Sequence, residues 1–469
     1  MIPATHIDLY QLTSLIPHWD AGLANTRVVM SFFSRRLPQD DQGHPVRGFL
    51  LFVGLRRALT WLEAAIFDEE RILALQTHPM LGPALDARPD LIDRLRNWRF
   101  SGRVLAPREG TPIVAGLAVR SDGAPLAFDE LKPAAQTPYF LIECDMVTAK
   151  LIETPLLSII NHMTMVGSKA AHIALAAGGR PVFEFGSRRT HPLAAVDAAY
   201  AGYVAGCAGT SNVEAHCSYG IPVVGTMDHF AIQAWERADV PRHESEHAYF
   251  AEFYRSFPDR AILLVDTYET FGELTGIRNA VRATDGKLKG IRIDSTISRD
   301  SVRAARRLLD ELGARQAQII VSGGMDEHAI RALGDAPVDA FGIGERLVTA
   351  PDAPVGVGAV AKLCEIGGKP TMKLARGSGK ASLPGRVQVF RRGLNDLVAR
   401  EGETPAGDPL LQLVWDDTRP LDLPSVDETR RYALSQLELW KERARQPTQP
   451  TIPITPALEG VIADLLAHG

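Results

Sequence analysis

Between residues 181 and 346, six short apolar runs each break off into Gly, Arg, Asp or His. They are PVFEFGSRR (181–189), IPVVGTMDH (221–229), AILLVDTY (261–268), GIRIDS (290–295), QIIVSGGMD (318–326) and VDAFGIGER (338–346). Continuous Val, Ile, Leu and Phe without alternation suits strands buried on both faces of a parallel sheet. The segments 192–206, 245–256, 269–283, 300–312 and 326–334 between them read as amphipathic helices. In SRDSVRAARRLLDELG the apolar positions recur at i, i+3 and i+4, and Gly313 stops the run. Alternation of this kind predicts an α/β domain over residues 144–355. Six successive polar strand ends favour an irregular parallel α/β barrel over a doubly wound sheet. In a barrel, chemistry gathers past the C-terminal ends of the strands.

The flanks follow a different pattern. Residues 1–143 read as an α+β N-terminal domain, with a helix after Asp8, a strand in 28–37, polar turns over 39–48, a helix over FLLFVGLRRALTWLEAAI (49–66) and short strands in 101–121. Residues 356–469 form a C-terminal β-rich and helical region. Its part 356–424, including the basic, Gly-rich stretch 367–392, is expected to return as strands to the first layer. Ser425 and Glu428 make a capping-box signature for a helix reaching about residue 444. Pro447, Pro450, Pro453 and Pro456 punctuate a linker before a short terminal helix.

Composition narrows the function classes. The 469 residues are 45% hydrophobic, enough for a large core, and the net charge of −5 comes without a Lys/Arg block. Nucleic acid is therefore not an expected partner. Cys144, Cys207, Cys217 and Cys364 lie far apart with no ligand spacing, so four buried thiols are expected rather than disulfides or a zinc site. The N-terminus lacks the basic start and apolar core of a signal peptide, and no run approaches the ~20 apolar residues of a membrane span. A cytoplasmic protein without a membrane partner is expected.

The strand ends carry the candidate chemistry. Ser322-Gly323-Gly324 and Gly342-Ile343-Gly344 follow apolar runs. Glycine admits close backbone approach, and barrels hold phosphate on the loops after their last strands. A pair of tight turns is the plain alternative. Arg188 and Arg189 close the first run, and Arg292 and Asp294 share a face of the fourth. Arginine suits bidentate capture of carboxylate or phosphate, while a structural ion pair is the competing reading. His229 stands beside Asp228 at a strand end, either structural or placed for a titrating or nucleophilic role. Asp266 suits a metal ion, a ribose hydroxyl, or the N-cap of a helix beginning near 270. Neither a P-loop nor a Gly-x-Gly-x-x-Gly motif opening a helix is present. The residues by themselves lead to a barrel enzyme that binds a phosphorylated, anionic small molecule.

As an ordered set, IDLYQLT (7–13), FLLFVGL, REGTPI, LIETPLLSIINH, EFGSRR, GTSNV, GIPVVGTMDH, LVDTYET, IRIDS, SGGMDE, FGIGERLVT and LPGRVQVFR (383–391) resemble the nicotinate phosphoribosyltransferase family. The resemblance implies an ATP-coupled ligase of NAD salvage that joins nicotinate to phosphoribosyl pyrophosphate, with Mg²⁺. It further implies a homodimer with shared active sites. On that likeness Tyr10 stacks on the pyridine from the neighbouring subunit and Phe185 covers its other face. Arg188 and Arg292 serve the base and the pyrophosphate, and Asp294 lies near the ribose. Ser322, Gly323, Gly324, Gly342 and Gly344 resemble the 5′-phosphate cradle, Ser211 and Thr226 complete the substrate-binding set, and His229 matches a histidine transiently phosphorylated by ATP.

Ser211 stands where nicotinamide-using relatives carry Asp, which would repel a nicotinate carboxylate. The chain departs from the family pattern at Ser295-Thr296-Ile297, where Ser-Gly-Asp is usual, and at Ile7, Asp228, Phe230 and Glu345. Those changes leave two further readings open: a paralogue ribosylating another aromatic nitrogen base, and a catalytically silent ligand-binding homologue.

Overall fold

The computed structural model describes residues 2–126, 128, 133–353, 356–374, 380–448 and 450–468, in two compact units. One unit comprises residues 1–168 and 352–469, the other residues 169–351. The boundary between the units, at 168/169, falls inside the long helix Met146–Ala177, 25 positions beyond the expected 143/144, and residues 356–469 group with the first unit.

The first unit is built on a seven-stranded sheet in the order Lys369–Pro370, Ala359–Ile366, Arg27–Ser34, Phe140–Asp145, Gly102–Ala106, Gln412–Asp417, Arg419–Pro420. C-terminal strands flank the N-terminal ones on both sides. Part of the stretch 367–392 lies in this sheet and part in the strand Val387–Arg392, while 375–379 lie outside the described residues. Two expectations need correction. The helix read over 49–66 covers Leu55–Ala64; the preceding Phe49–Val53 are fully buried and contain the strand Leu50–Leu51. Burial on all sides gives a strand and a core helix the same run of apolar residues. The helix starts where the Glu109 carboxylate accepts Gly54 N–H (2.6 Å) and Leu55 N–H (3.1 Å), at Gly54 with φ +117°. The proline-punctuated linker contains the strand Thr451–Pro453, parallel to Ala115–Val119.

The second unit carries a six-stranded, wholly parallel sheet in the order Ile262–Leu264, Gly290–Ile293, Gln318–Val321, Ala340–Ile343, Val182–Glu184, Gly209–Thr210. The last strand in sequence pairs with the first, which places every C-terminal strand end on one rim. Helices Pro192–Val204, Gly276–Ala283, Arg299–Glu311 and Glu327–Leu333 make the crossovers. The fold is mixed α/β. The run 221–226, read as a strand, contributes a single bridge, Val223 to Thr210. Pro222 has no N–H to donate, and its carbonyl accepts Thr210 N–H at 3.0 Å. This segment spans the open side of the ladder: Met227 Sδ accepts Leu264 N–H at 3.5 Å, and Met227 O accepts Arg292 Nη2 at 2.9 Å. The helix expected from 269 begins at Gly276, whose φ of +61° lets its N–H reach the buried Glu246 carboxylate at 3.0 Å. Cys144, Cys207 and Cys364 are buried, but Cys217 is exposed on the short helix Val213–Tyr219. Among the described residues, no helix is long and apolar enough to cross a membrane.

Candidate active site

One cavity of about 880 Å³ opens on the rim of the parallel sheet. Phe185, Arg188, Ser211, Thr226, His229, Arg292, Asp294, Ser322, Gly323, Gly324, Gly342 and Gly344 all line it. Twelve positions from separate strand ends therefore share one space. Tyr10 is the exception among the expected site residues. It lies in the first unit on the helix Leu9–Asp20 and is 54% exposed.

Arg292 leaves its strand largely buried, with Nη2 donating to Met227 O and Nε buried without a partner among the described residues. Burial pulls its pKa down, against the opposing pull of Asp294, Asp266 and Asp228. An unsatisfied N–H on a buried guanidinium is costly unless an anion or water completes it. Asp294 is not paired with Arg292; its Oδ1 accepts the Ser322 hydroxyl. The Asp294 turn is fixed from below by Asp266, whose Oδ2 accepts Asp294 N–H (2.8 Å) and Ser295 Oγ (2.6 Å). Asp266 is therefore not an N-cap, since the following helix starts ten residues on at Gly276. Thr296, next in line, holds φ +52°, a region that favours glycine. Ser295 and Thr296 also line a smaller cavity of about 380 Å³ with Glu269–Gly272.

The glycines differ in purpose. Gly323 has φ +81°, and a Cβ there would lie 1.8 Å from Asp294 O, so the turn closes against the neighbouring strand end. Gly324 has φ +63° and open space around it. Gly342 is the seat of an aromatic ring, since a Cβ would strike Phe185 Cε2 at 2.4 Å. Phe185 in turn stacks on Phe183, with centroids 6.4 Å apart and planes 14° apart.

Asp228 caps the helix His229–Gln233 by accepting Ala231 N–H at 2.9 Å, which places His229 at its first position. His229 Nδ1 meets Thr267 Oγ1 at 3.1 Å. That contact leaves Nε2 as the ring nitrogen with no partner among the described residues. Glu345, a charge unexpected near a phosphate, pairs with Arg189 at 3.7 Å.

Two carboxylates missed in the sequence organise the site from behind. Asp326 is buried; Oδ1 accepts His328 N–H (3.0 Å) and Ala329 N–H (2.8 Å), and Oδ2 holds the cavity-lining Arg346 at 2.6 Å. Burial alone would raise its pKa, but the Ala329 N–H and Arg346 outweigh it and hold the carboxyl below its usual range. Glu184 is 1% exposed and accepts hydrogen bonds from Gly186 N–H and, at 2.6 Å, from Thr210 Oγ1. Burial pushes its pKa up, with those two bonds opposing the rise.

Residues 5–161 match the family described as the nicotinate phosphoribosyltransferase (NAPRTase) N-terminal domain. Nicotinate phosphoribosyltransferase pncB2 of Mycobacterium tuberculosis is 35% identical over 449 residues, covering 93% of this chain and 87% of the relative. Nicotinate phosphoribosyltransferase of Bacillus subtilis is 33% identical over 398 residues, covering 82% and 72%. The crystal structure of human nicotinic acid phosphoribosyltransferase superposes with a TM-score of 0.77 over 98% of this chain and 99% of that one, at 24% identity, a likeness of fold. With identity of this degree running along nearly the whole chain, the protein belongs to the nicotinate phosphoribosyltransferase family.

Proposed function

We propose that the protein is a nicotinate phosphoribosyltransferase of NAD salvage, forming nicotinate mononucleotide and pyrophosphate from nicotinate and phosphoribosyl pyrophosphate. The observation that carries the reading is the buried guanidinium of Arg292, its Nε unpartnered among the described residues, in one cavity with Asp294, two glycine turns, and the trio Phe185, Arg188 and Ser211. The first group suits a sugar phosphate bearing a pyrophosphate. The trio suits a flat anionic heterocycle.

The pyridine nitrogen is itself the nucleophile, so no strong base is required. Its lone pair forms the bond to ribose C1 as the C1–O bond to pyrophosphate breaks, and pyrophosphate leaves with that electron pair. Phe185 and Arg188 hold the ring at C1. Asp294, its orientation set by Ser322, stabilises the positive charge that develops on the ribosyl group. Arg292 meets the charge building on the leaving group. Mg²⁺, brought in by the pyrophosphate, would neutralise phosphate charge. Among the described residues no cluster of three His, Cys, Asp or Glu stands ready for a metal. The protein's share would be an oxygen or two, from Asp294 or from the unpartnered, buried Oδ1 of Asp266.

ATP coupling belongs to the same proposal. With Nδ1 at Thr267, Nε2 is the His229 nitrogen that would attack the γ-phosphate of ATP, with ADP as the leaving group. The assembly proposed is a homodimer in which the exposed Tyr10 of one protomer closes the base site of its partner, each sheet completed as an irregular barrel through 221–227.

The test is turnover of a base panel with phosphoribosyl pyrophosphate and Mg²⁺, with and without ATP. Nicotinate as the preferred base supports the proposal. Preference for another base, or binding without turnover, overturns it. His229→Ala should lose ATP stimulation while keeping ATP-independent synthesis; undiminished stimulation would remove His229 from that role.

A further inference from the structure

Glu184 is a fully buried carboxylate in the middle of the base end, and the chemistry above leaves it unused. Its two oxygens accept from two different strand ends. Oε1 takes Gly186 N–H, in the turn that carries Phe185, Ser187 and Arg188. Oε2 takes Thr210 Oγ1 at 2.6 Å, in the turn that carries Ser211. The Thr210 hydroxyl is itself an acceptor for Asn212 N–H at 3.0 Å, so its proton is directed at Glu184. Asn212 Nδ2 then donates to Ser187 Oγ at 3.1 Å, and the circuit closes on the turn where it began. Even the backbone joins in, since Ser211 N–H donates to Glu184 O at 2.9 Å. Gly186 is required for the arrangement: a Cβ there would lie 2.8 Å from Glu184 Oε1 and 2.3 Å from Val348 Cγ1.

A carboxylate buried this deeply is expensive unless its geometry is needed, and apolar residues would fill a strand end at lower cost. From this circuit we propose that Glu184 is a positioning residue for base recognition. It fixes the distance between the Phe185–Arg188 turn and Ser211, and through that distance the enzyme's preference for a carboxylate-bearing ring. The inference rests on the proposed reaction and deepens it. Both donors point at Glu184, so an amide NH₂ in its place would face a donor whichever way it turned. Glutamine therefore keeps the volume and breaks the circuit.

The experiment compares Glu184→Gln, Thr210→Val and Thr210→Ser with the wild type. The readouts are KM for the base, KM for phosphoribosyl pyrophosphate, kcat, dissociation constants for nicotinate and nicotinamide, and melting temperature. Glu184→Gln and Thr210→Val should raise KM and Kd for nicotinate by about tenfold, as expected when a charge-assisted hydrogen-bond network is cut. Both should narrow the preference over nicotinamide and leave KM for phosphoribosyl pyrophosphate within about twofold. Thr210→Ser keeps the hydroxyl and should behave as wild type. Thr210→Val carries the test if Glu184→Gln does not fold. Unchanged base discrimination in a folded variant, or equal proportional losses in all constants, would overturn the role. A wild type that prefers some other base would sink the proposed reaction instead, and the same ratios read on that base would still decide Glu184.

Discussion

At the end of the cavity proposed to take the base, the turns that carry Phe185, Arg188 and Ser211 are tied together by side chains, through the circuit of Glu184, Thr210, Asn212 and Ser187. At the end proposed to take the phosphates, the glycine turns and backbone N–H groups share the holding with the Asp266 and Asp326 carboxylates. Gly323 and Gly324 sit at positive φ, and Asp326 ties the following helix start to Arg346. The two buried carboxylates differ accordingly. Asp326 has N–H donors and a guanidinium, and its pKa is lowered; Glu184 has two neutral donors, and its pKa is raised. An anion-binding end gains from fixed positive partners. The end proposed for the ring relies on shape, and there the Glu184 carboxyl is held by uncharged donors alone.

The largest expected effect falls at the phosphate end, on Arg292. Arg292→Ala should lower kcat/KM by about 10³-fold, the scale for removing a preorganised group from a developing charge. Near-normal kcat/KM would break the assignment of Arg292 to the leaving group, and with it the division of the cavity into two ends. Next comes the backbone. Gly323→Ala combines left-handed strain with a Cβ 1.8 Å from Asp294 O, and should cost about 3 kcal/mol by denaturant titration. Gly324→Ala has open space and should cost about 1 kcal/mol, from strain alone. Equal costs would show that the approach of Gly323 to the Asp294 strand is not what the glycine serves.

The two carboxylates predict opposite pH trends in stability. Asp326 titrates in the folded protein below its ordinary value of 3.8, so its contribution is complete above that pH and is lost as pH falls through the folded pKa. Glu184 titrates above its ordinary value of 4.5, so the folded state binds the extra proton and stability declines as pH rises through the folded pKa. Each slope is at most about 1.4 kcal/mol per pH unit. Urea titrations across pH should show Glu184→Gln flattening the decline above pH 4.5 and Asp326→Asn flattening the loss below 3.8. A Glu184→Gln curve parallel to the wild type above pH 4.5 would remove the contrast.

How much of this was legible follows from where each residue's signal lies. Arg188, His229, Arg292 and Asp294 could be read because polar residues ending apolar runs stand out, and the parallel-sheet rule sends them to one rim. Glu184 sits in PVFEFG, where a strand reading absorbs it. The available signal was its charge in a run otherwise buried on both faces, since such a group must find partners. The run 221–226 has a strand's composition, but Pro222 limits it to one bridge. Gly342 could be read as a turn glycine; that it seats the Phe185 ring depends on a contact 157 positions away in the chain, which no local pattern encodes. Tyr10 stands out through family resemblance alone, because an exposed tyrosine on a surface helix carries no local mark of function.

The smallest expected effect concerns Thr296, the departure from Ser-Gly-Asp. Its φ of +52° is the conformation that a glycine in the usual pattern takes without strain, so this chain keeps the turn with a β-branched residue in it. The turn persists because Asp266 holds Asp294 N–H and Ser295 Oγ, and Thr296 O accepts Ser301 Oγ at 3.1 Å. Thr296→Gly should relieve about 1–2 kcal/mol of left-handed strain but return up to about 1 kcal/mol through the greater freedom of the unfolded chain. A net gain below about 1 kcal/mol is expected, with kcat/KM within about twofold because Asp266 still fixes Asp294. If Thr296→Gly instead lost activity at unchanged stability, the threonine itself would be part of the phosphate end. The contrast between an end shaped by glycine turns and one tied by a side-chain circuit would then need redrawing at that turn.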